Sequence, residues 1–363
     1  MPNFAAVMMK RVLIFPLLCL AAFPLCAQKI VHEEYLDYYF DNREFDAGSE
    51  KYMESETLHS IMLLPQIGLS YKQSRITEHR IMAGVSVRRD MGSGEKLKDS
   101  FKELSVYYQV AHKLGGRRVF RAAAGVLPRY LLRGEYSRAV WSDALVFYDT
   151  NLEGALLQYG AKDFRAELGC DWMGKKGGAV RERFQIFSSG RWDANKWLSA
   201  GWGLSFYHYA TSALAHNVID NHLFNPWLKA DFACFADFFQ ELSLQAGLMA
   251  GYQRSRDIDP EPVMPLGSEI IFRARKWNVC IQNSLYAGED LYHYYDSPAP
   301  EGGIYASNLY LGEPTYRGFY DNAELLWTPR ISRRLSLRIG AAFHFDGDGY
   351  QGCRQVVHLR LSL

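Results

Sequence analysis

Charged side chains recur at alternate positions inside otherwise apolar runs of this sequence. Between Arg334 and Asp346, Leu335, Leu337, Ile339, Ala341, Phe343 and Phe345 alternate with Ser336, Arg338, Gly340, Ala342, His344 and Asp346. Extending that phase along the chain puts Arg88, Arg121, Arg165, Arg183, Arg273, Arg338 and Arg360 on one wall surface. Glu167, Asp231, Glu324 and His344 share it. Around a wet lumen, rows of opposite charge set up a transverse field that orders water and filters small polar solutes. The alternative is structural, with these charges pairing with one another to brace the wall.

Catalytic motifs are thin. The sequence has no G-x-S-x-G, no H-E-x-x-H and no phosphate-binding loop. Asp346-Gly-Asp348-Gly has the opening of a calcium loop without its later ligands. His208, His344 and His358 lie on alternating segments, but nothing sets a serine beside them, so a hydrolase is a third-rank reading. No metal or cofactor is expected.

The element that positions these residues is a strand, whose side chains alternate with period two. Repeated apolar-out, polar-in segments of roughly ten residues are the signature of a transmembrane β-barrel. Tight connections are expected at residues 72–77, 115–116, 162–163, 192–196, 236–240, 276 and 329–333. Longer polar connections fall at 91–100, 132–151, 174–180, 211–222, 254–266 and 287–316. Short and long alternate without a break, as periplasmic turns and extracellular loops do. Parity then demands one more strand at the N-terminal end, at residues 30–43, closing the barrel beside residues 356–363.

The fold class is therefore all-β: a closed antiparallel transmembrane β-barrel of about 16 strands, with both termini periplasmic. Fourteen strands is the alternative, should the N-terminal segment lie elsewhere. A soluble antiparallel sandwich also alternates, but its core would not accept so many arginines.

Two loops carry further expectations. The third outer loop holds Glu135, Arg138, Asp143 and Asp149 among Tyr136, Trp141, Phe147 and Tyr148. Folded inward, it would narrow a pore; folded outward, it would be an ordinary surface loop. The loop at 287–316 has five carboxylates and no Lys or Arg. Its Tyr292, Tyr294, Tyr295 and Asp296 are candidate glycan contacts, because aromatic faces stack on sugar rings and carboxylates accept hydroxyl hydrogen bonds. The plainer reading is a loop that packs its own tyrosines and caps the barrel.

The N-terminus has Lys10-Arg11, an apolar run to Leu25, and Ala27 before Gln28. This is a secretory signal over residues 1–27, with residues 28–363 as a single barrel domain. A lipoprotein signal on Cys26 is the rival, disfavoured by the bulky Leu25. No later run is long and apolar enough for a transmembrane helix. The formal charge is +1, without the basic stripe that nucleic-acid binding needs. The 23 Tyr, 21 Phe and 8 Trp suit interfacial girdles. Cys170, Cys234, Cys280 and Cys353 follow the signal without metal-type spacing.

Several strings carry a resemblance: Phe40-Asp-Asn-Arg-Glu-Phe45, Arg181-Glu-Arg-Phe-Gln-Ile-Phe-Ser-Ser-Gly190, Asp220-Asn221, Leu309-Tyr-Leu-Gly-Glu-Pro-Thr-Tyr-Arg317 and Tyr320-Asp-Asn-Ala-Glu-Leu-Leu-Trp-Thr-Pro329. With these the chain resembles Bacteroidetes-type outer-membrane barrel proteins of unknown function. The resemblance implies a Gram-negative outer membrane and a porin-like body, with no catalytic residues to carry over. The expected partners are outer-membrane lipid and small polar solutes, saccharides among them, and no nucleic acid. A trimer is the assembly common among general porins, though no interface signature marks it here. The leading functional reading is a porin-like channel. The second is a non-conducting binding or scaffold barrel that acts through its loops, and the third is the barrel hydrolase.

Overall fold

A computed structural model describes residues 28–46, 53–94, 96–178, 180–212, 217–235, 237–257, 259–294 and 312–363. The expected signal segment lies outside them. The chain runs through β1 (Gln28–Phe45), β2 (Thr57–Lys72), β3 (Thr77–Asp90), β4 (Phe101–Gly115), β5 (Arg118–Pro128) and β6 (Asn151–Gly160). It continues through β7 (Phe164–Gly174), β8 (Arg183–Asp193), β9 (Leu198–Tyr209), β10 (Ile219–Asp231) and β11 (Glu241–Ser255). A five-residue β12 (Asp259–Val263) precedes β13 (Leu266–Lys276), β14 (Val279–Gly288), β15 (Gly318–Trp327), β16 (Leu335–Asp346) and β17 (Gly349–Ser362).

Every neighbour pair is antiparallel. β12 pairs only with the end of β11, while β11 itself pairs with β13 from Glu241↔Arg275 to Ala250↔Leu266. The wall therefore has sixteen strands out of the 17 in the sheet. The strand demanded by loop parity exists and is longer than expected. β1 pairs with β2 from Gln28↔Tyr71 to Asn42↔Thr57, and with β17 from Tyr35↔Ser362 to Phe45↔Gly352. Those two ladders close the barrel and leave no free edge.

Both ends of the described chain lie at the rim with the short turns. Gly115-Gly116 turns with φ of 89° and 60°, and Trp277-Asn278 with φ of 50° and 68°. Positive φ at both central residues matches the right-handed twist of the flanking strands. The second turn lies one residue beyond the expected position at Lys276. At the other rim, Asp346-Gly-Asp348-Gly closes the β16–β17 hairpin: the Asp346 carboxylate accepts from the Asp348 backbone N–H at 2.8 Å and from the Gln351 amide at 2.8 Å.

The lipid-facing rows are mostly apolar, with Ile67, Leu104, Leu168, Leu228, Leu248 and Leu325 among many exposed large side chains, and with Asn283 and Asp321 hydrogen-bonded to each other within them. A continuous exposed belt of this size belongs in a bilayer and not in water. Trp192, Trp277 and Trp327 edge it at the short-turn rim, and Phe101, Trp172 and Phe319 at the long-loop rim.

Candidate functional site: the barrel interior

All eleven wall residues named from the sequence lie in the inward rows of their strands. The interior they face is not uniformly wet. From β5 to β11 the inward rows also carry Leu127, Leu152, Leu156, Phe187, Leu223 and Met249, each buried. Strict polar-in alternation fails there because a segment of the chain itself packs against that half of the wall.

That segment is residues 129–150, which hold the four loop residues named from the sequence. A 3-10 turn at Arg129–Leu131 carries the chain off β5, and a short helix α1 (Asp143–Tyr148) brings it back toward β6. Ser142 caps α1, its hydroxyl accepting from the Leu145 N–H at 3.1 Å. The loop buries Val140, Trp141, Leu145 and Phe147 inside the barrel.

Glu167 on β7 is the anchor at one side. Its carboxylate accepts from the backbone N–H of Arg133 at 2.8 Å and Gly134 at 3.2 Å, from the Tyr136 hydroxyl at 2.8 Å and from the Gln158 amide at 2.6 Å. Gly134 is needed there: a Cβ would sit 2.8 Å from the Glu167 carboxylate and 2.8 Å from Ser189. The Ser189 hydroxyl meets the Glu135 backbone at 2.8 and 3.0 Å. Trp141 donates its indole N–H to Gln185 at 2.9 Å and packs edge-on against Phe187. The Glu135 side chain pairs with Arg165 and with Arg191.

Across the lumen the loop meets β13, β15, β16, β17 and β1. Arg138 donates to Glu324, and Ser137 and Tyr316 both donate to Glu269, at 3.1 and 2.7 Å. Asp143 faces Arg338 at 3.5 Å, Arg354 at 3.6 Å and Arg138 at 3.9 Å. Burial alone would raise its pKa, but these arginines outweigh burial and hold it well below the ordinary carboxylate range. Glu313, beside Arg138 and Arg354, moves the other way. Burial dominates there, and the nearby Asp143 and Glu324 charges add to it, so its pKa is raised.

Arg354 and Asp41 form the tightest part of this cluster, with N–O distances of 2.8 and 2.9 Å and almost no exposure on either side chain. Arg354 also donates to the Tyr39 hydroxyl at 3.0 Å, and Tyr39 stacks on Phe147 at 4.6 Å. Further along the wall, Asp149 and Asp171 share Arg129, Asp37 receives both arms of Arg360 at 2.7 Å, and Arg88 lies over the Tyr148 ring at 4.4 Å.

The other named residues are also placed. Tyr292 and Tyr294 are buried, 3% and 2% exposed, and the Tyr292 hydroxyl donates to the Ala139 carbonyl of the inner loop. They turn toward the interior and away from the outer surface. Tyr295 and Asp296 lie outside the described residues. His344 is buried against Tyr320 at 2.8 Å, His208 meets Asp220 at 2.6 Å and His358 faces Asp37 at 3.7 Å. Arg183 donates to the Met173 carbonyl and Arg273 to Gln282, while Asp231 caps the turn after β10. Sequence reasoning missed Arg354 and gave Asp37 and Asp41 no role. The available signal was phase, because Arg354 stands in the same row as Arg360.

The packing leaves the interior lopsided. Between the loop and the β9–β10 wall only about 10 Å³ remains. On the β1–β2 and β16–β17 side a chamber of about 260 Å³ survives, lined by Asp37, Tyr39, Asp143, Arg338, His358 and Arg360 among others. A second cavity of about 950 Å³ opens toward the short turns between β1 and β5. Tyr130 lines both. Its ring sits 4.8 Å from that of Tyr35, and its hydroxyl donates to Glu33 at 3.1 Å and Gln66 at 2.9 Å.

An anion-selective porin from Comamonas acidovorans superposes with a TM-score of 0.51 at 13% identity, covering 93% of this chain and 100% of that one. The fold is that of the outer-membrane porins. OmpF of Salmonella typhi, solved in complex with daunomycin, gives 0.51 at 9% identity over 92% and 97% of the two chains. A loop-L8 deletion mutant of OmpT, an outer membrane protein of Vibrio cholerae, gives 0.52 at 8% over 93% and 100%. No protein-family description and no curated protein matches the sequence. The likeness to the porins is thus one of backbone, and the interior chemistry must be argued from this chain's own residues.

Proposed function

We propose that this protein is a porin-like channel of a Gram-negative outer membrane, passing small polar solutes by diffusion. One observation carries the reading: beside the inner loop the lumen keeps cavities of about 260 and 950 Å³ lined in part by charged side chains, and Tyr130 lines both. The short turns then face the periplasm and the long loops the exterior. Purified protein in a planar lipid bilayer should give discrete conductance steps. Correctly folded protein that gives none would overturn the reading. Deleting residues 135–143 should raise the conductance severalfold, and an unchanged value would mean that the inner loop does not narrow the path.

A second reading has its own support. Trp141, Phe187, Tyr292 and Tyr294 fill the opposite side of the lumen with buried aromatic surface, as a plugged scaffold barrel would. Silent bilayers together with a folded, heat-resistant barrel would favour it. The placement of Tyr292 and Tyr294 lends nothing to glycan contact at the outer surface.

Kinship with the Bacteroidetes-type barrels belongs to the same proposal. The strings that carry that resemblance contain Asp41, Gln185, Glu313, Tyr316 and Glu324, and these residues hold or surround the inner loop. A trimeric assembly is also part of it, checked by the mass of the detergent-extracted particle.

A further inference from the structure

The cavity of about 950 Å³ at the short-turn mouth differs from the rest of the interior in its charge. Lys72, Arg75, Arg80, Lys113, Arg121 and Arg133 line it, against Glu33 and Glu78 alone, a formal excess of four positive charges. Both carboxylates are already engaged by Arg80, which reaches Glu78 at 3.0 Å and Glu33 at 3.3 Å. Among the described residues, no carboxylate forms an ion pair with any of the other five cations.

The five come from different elements. Lys72 ends β2, Arg75 sits in the turn that follows, and Lys113 is near the end of β4. Arg121 is on β5, and Arg133 is on the inner loop, positioned by the grip of Glu167 on its backbone. Lys113 lies opposite Val119 in the ladder. Arg121 is therefore two residues deeper along the wall, about 7 Å by strand rise. Arg121 and Arg133 line the same cavity.

A wall with a formal excess of four positive charges is poised for an anion, because binding one relieves the repulsion. The cavity greatly exceeds the volume of one simple ion, and its cations fall into a rim set and a deeper set. Tyr35 and Tyr130, their rings 4.8 Å apart, also line the cavity.

We propose that this vestibule binds a small solute carrying two or more negative groups, carboxylate or phosphate, with Arg121 and Arg133 holding the inner group and Lys72, Arg75 and Lys113 the outer. This deepens the channel reading and names the solute class, but the binding itself needs no conduction.

The test is therefore an equilibrium measurement on the detergent-solubilised full barrel. Citrate and inorganic pyrophosphate are titrated calorimetrically at low ionic strength, with glucose as the neutral comparison. At least one of the two anions should bind and glucose should not. Binding should weaken steeply with added salt. The R121Q/R133Q double variant should lose tenfold or more in affinity while unfolding at the same temperature as the parent. R121K should retain most of the binding, and K113Q should lose less than the double variant. Absence of binding by both anions, or equal affinity in parent and double variant, would overturn the proposal. If the double variant fails to fold, R121Q alone, read by the same titration, decides between these outcomes. Silent bilayers with intact anion binding would remove the channel reading and leave this site standing.

Discussion

Arginines at the centre of the barrel and arginines at its short-turn mouth face the same lumen but live in opposite circumstances. At the centre, Arg354, Arg138 and Arg129 each have a carboxylate in contact, and those carboxylates are buried with them. At the mouth, Arg75, Arg121 and Arg133 have none among the described residues. Sequence phase treats both groups alike. The difference lies in the carboxylates within reach: Asp41, Asp171 and Glu324 project from the wall beside the central group and the inner loop adds Asp143, whereas Glu33 and Glu78 at the mouth are engaged by Arg80. An arginine facing the lumen thus braces the wall, or stays open, according to the carboxylate placed beside it.

The strongest way to break this contrast is to substitute one arginine from each group. R354M leaves buried Asp41 with Arg43 as its remaining partner, at a cost of about 1.5–3 kcal/mol for the lost charged hydrogen bonds, read as a lowered midpoint in chemical unfolding of the reconstituted barrel. R121M should change the same midpoint by about 0.5 kcal/mol or less. Equal effects would mean that the two groups are not distinct.

Acid gives a subtler comparison within the central group. A carboxylate whose folded pKa is depressed adds stability above its unfolded value, near about 4, and that stability is lost only as pH falls through the folded value. Asp143 is of this kind. Glu313, with a raised pKa, has the opposite sign: its charge is disfavoured by folding, and the stability it contributes in acid is lost as pH rises through its folded value. On acidification Glu313 therefore takes its proton first, while the Asp143 contacts persist. Open-channel current noise should stay flat from pH 7 to about 4, and D143N should raise it at every pH. Noise that grows steeply above pH 5 would contradict the assignment.

The smallest effect is expected at the threshold between the two cavities. Y130F removes hydrogen bonds to Glu33 and Gln66 but keeps the ring against Tyr35. It should cost about 1 kcal/mol and change conductance only slightly, whereas Y130A should widen the passage measurably.

Much of the barrel could be read from alternation and loop parity, down to the existence of β1. These signals are local, because a strand's phase is fixed by its own residues. The central cluster is not local. Arg354 and Asp41 meet only because the last strand pairs with the first, and no periodicity within either strand announces that partner. The apolar inward residues of β6, Leu152 and Leu156, were hidden for a related reason. With Ala155 and Leu157 on the opposite face, residues 155–157 read as an unbroken apolar run, and only the docked loop explains why Leu152 and Leu156 face inward.

The Arg354–Asp41 pair joins residues 313 positions apart, across the seam where the cylinder shuts. It cannot form while the sheet is still open, and until then two charges destined for the interior stand without each other. Final seating of the inner loop, through Asp143 on Arg354 and Phe147 on Tyr39, must wait for the same event. In assembly terms the seam is a completion check: a barrel that inserts with its first strand unpaired also lacks half of the dock for its internal loop. Such a misassembled product should betray itself by a loose interior before its wall is visibly at fault.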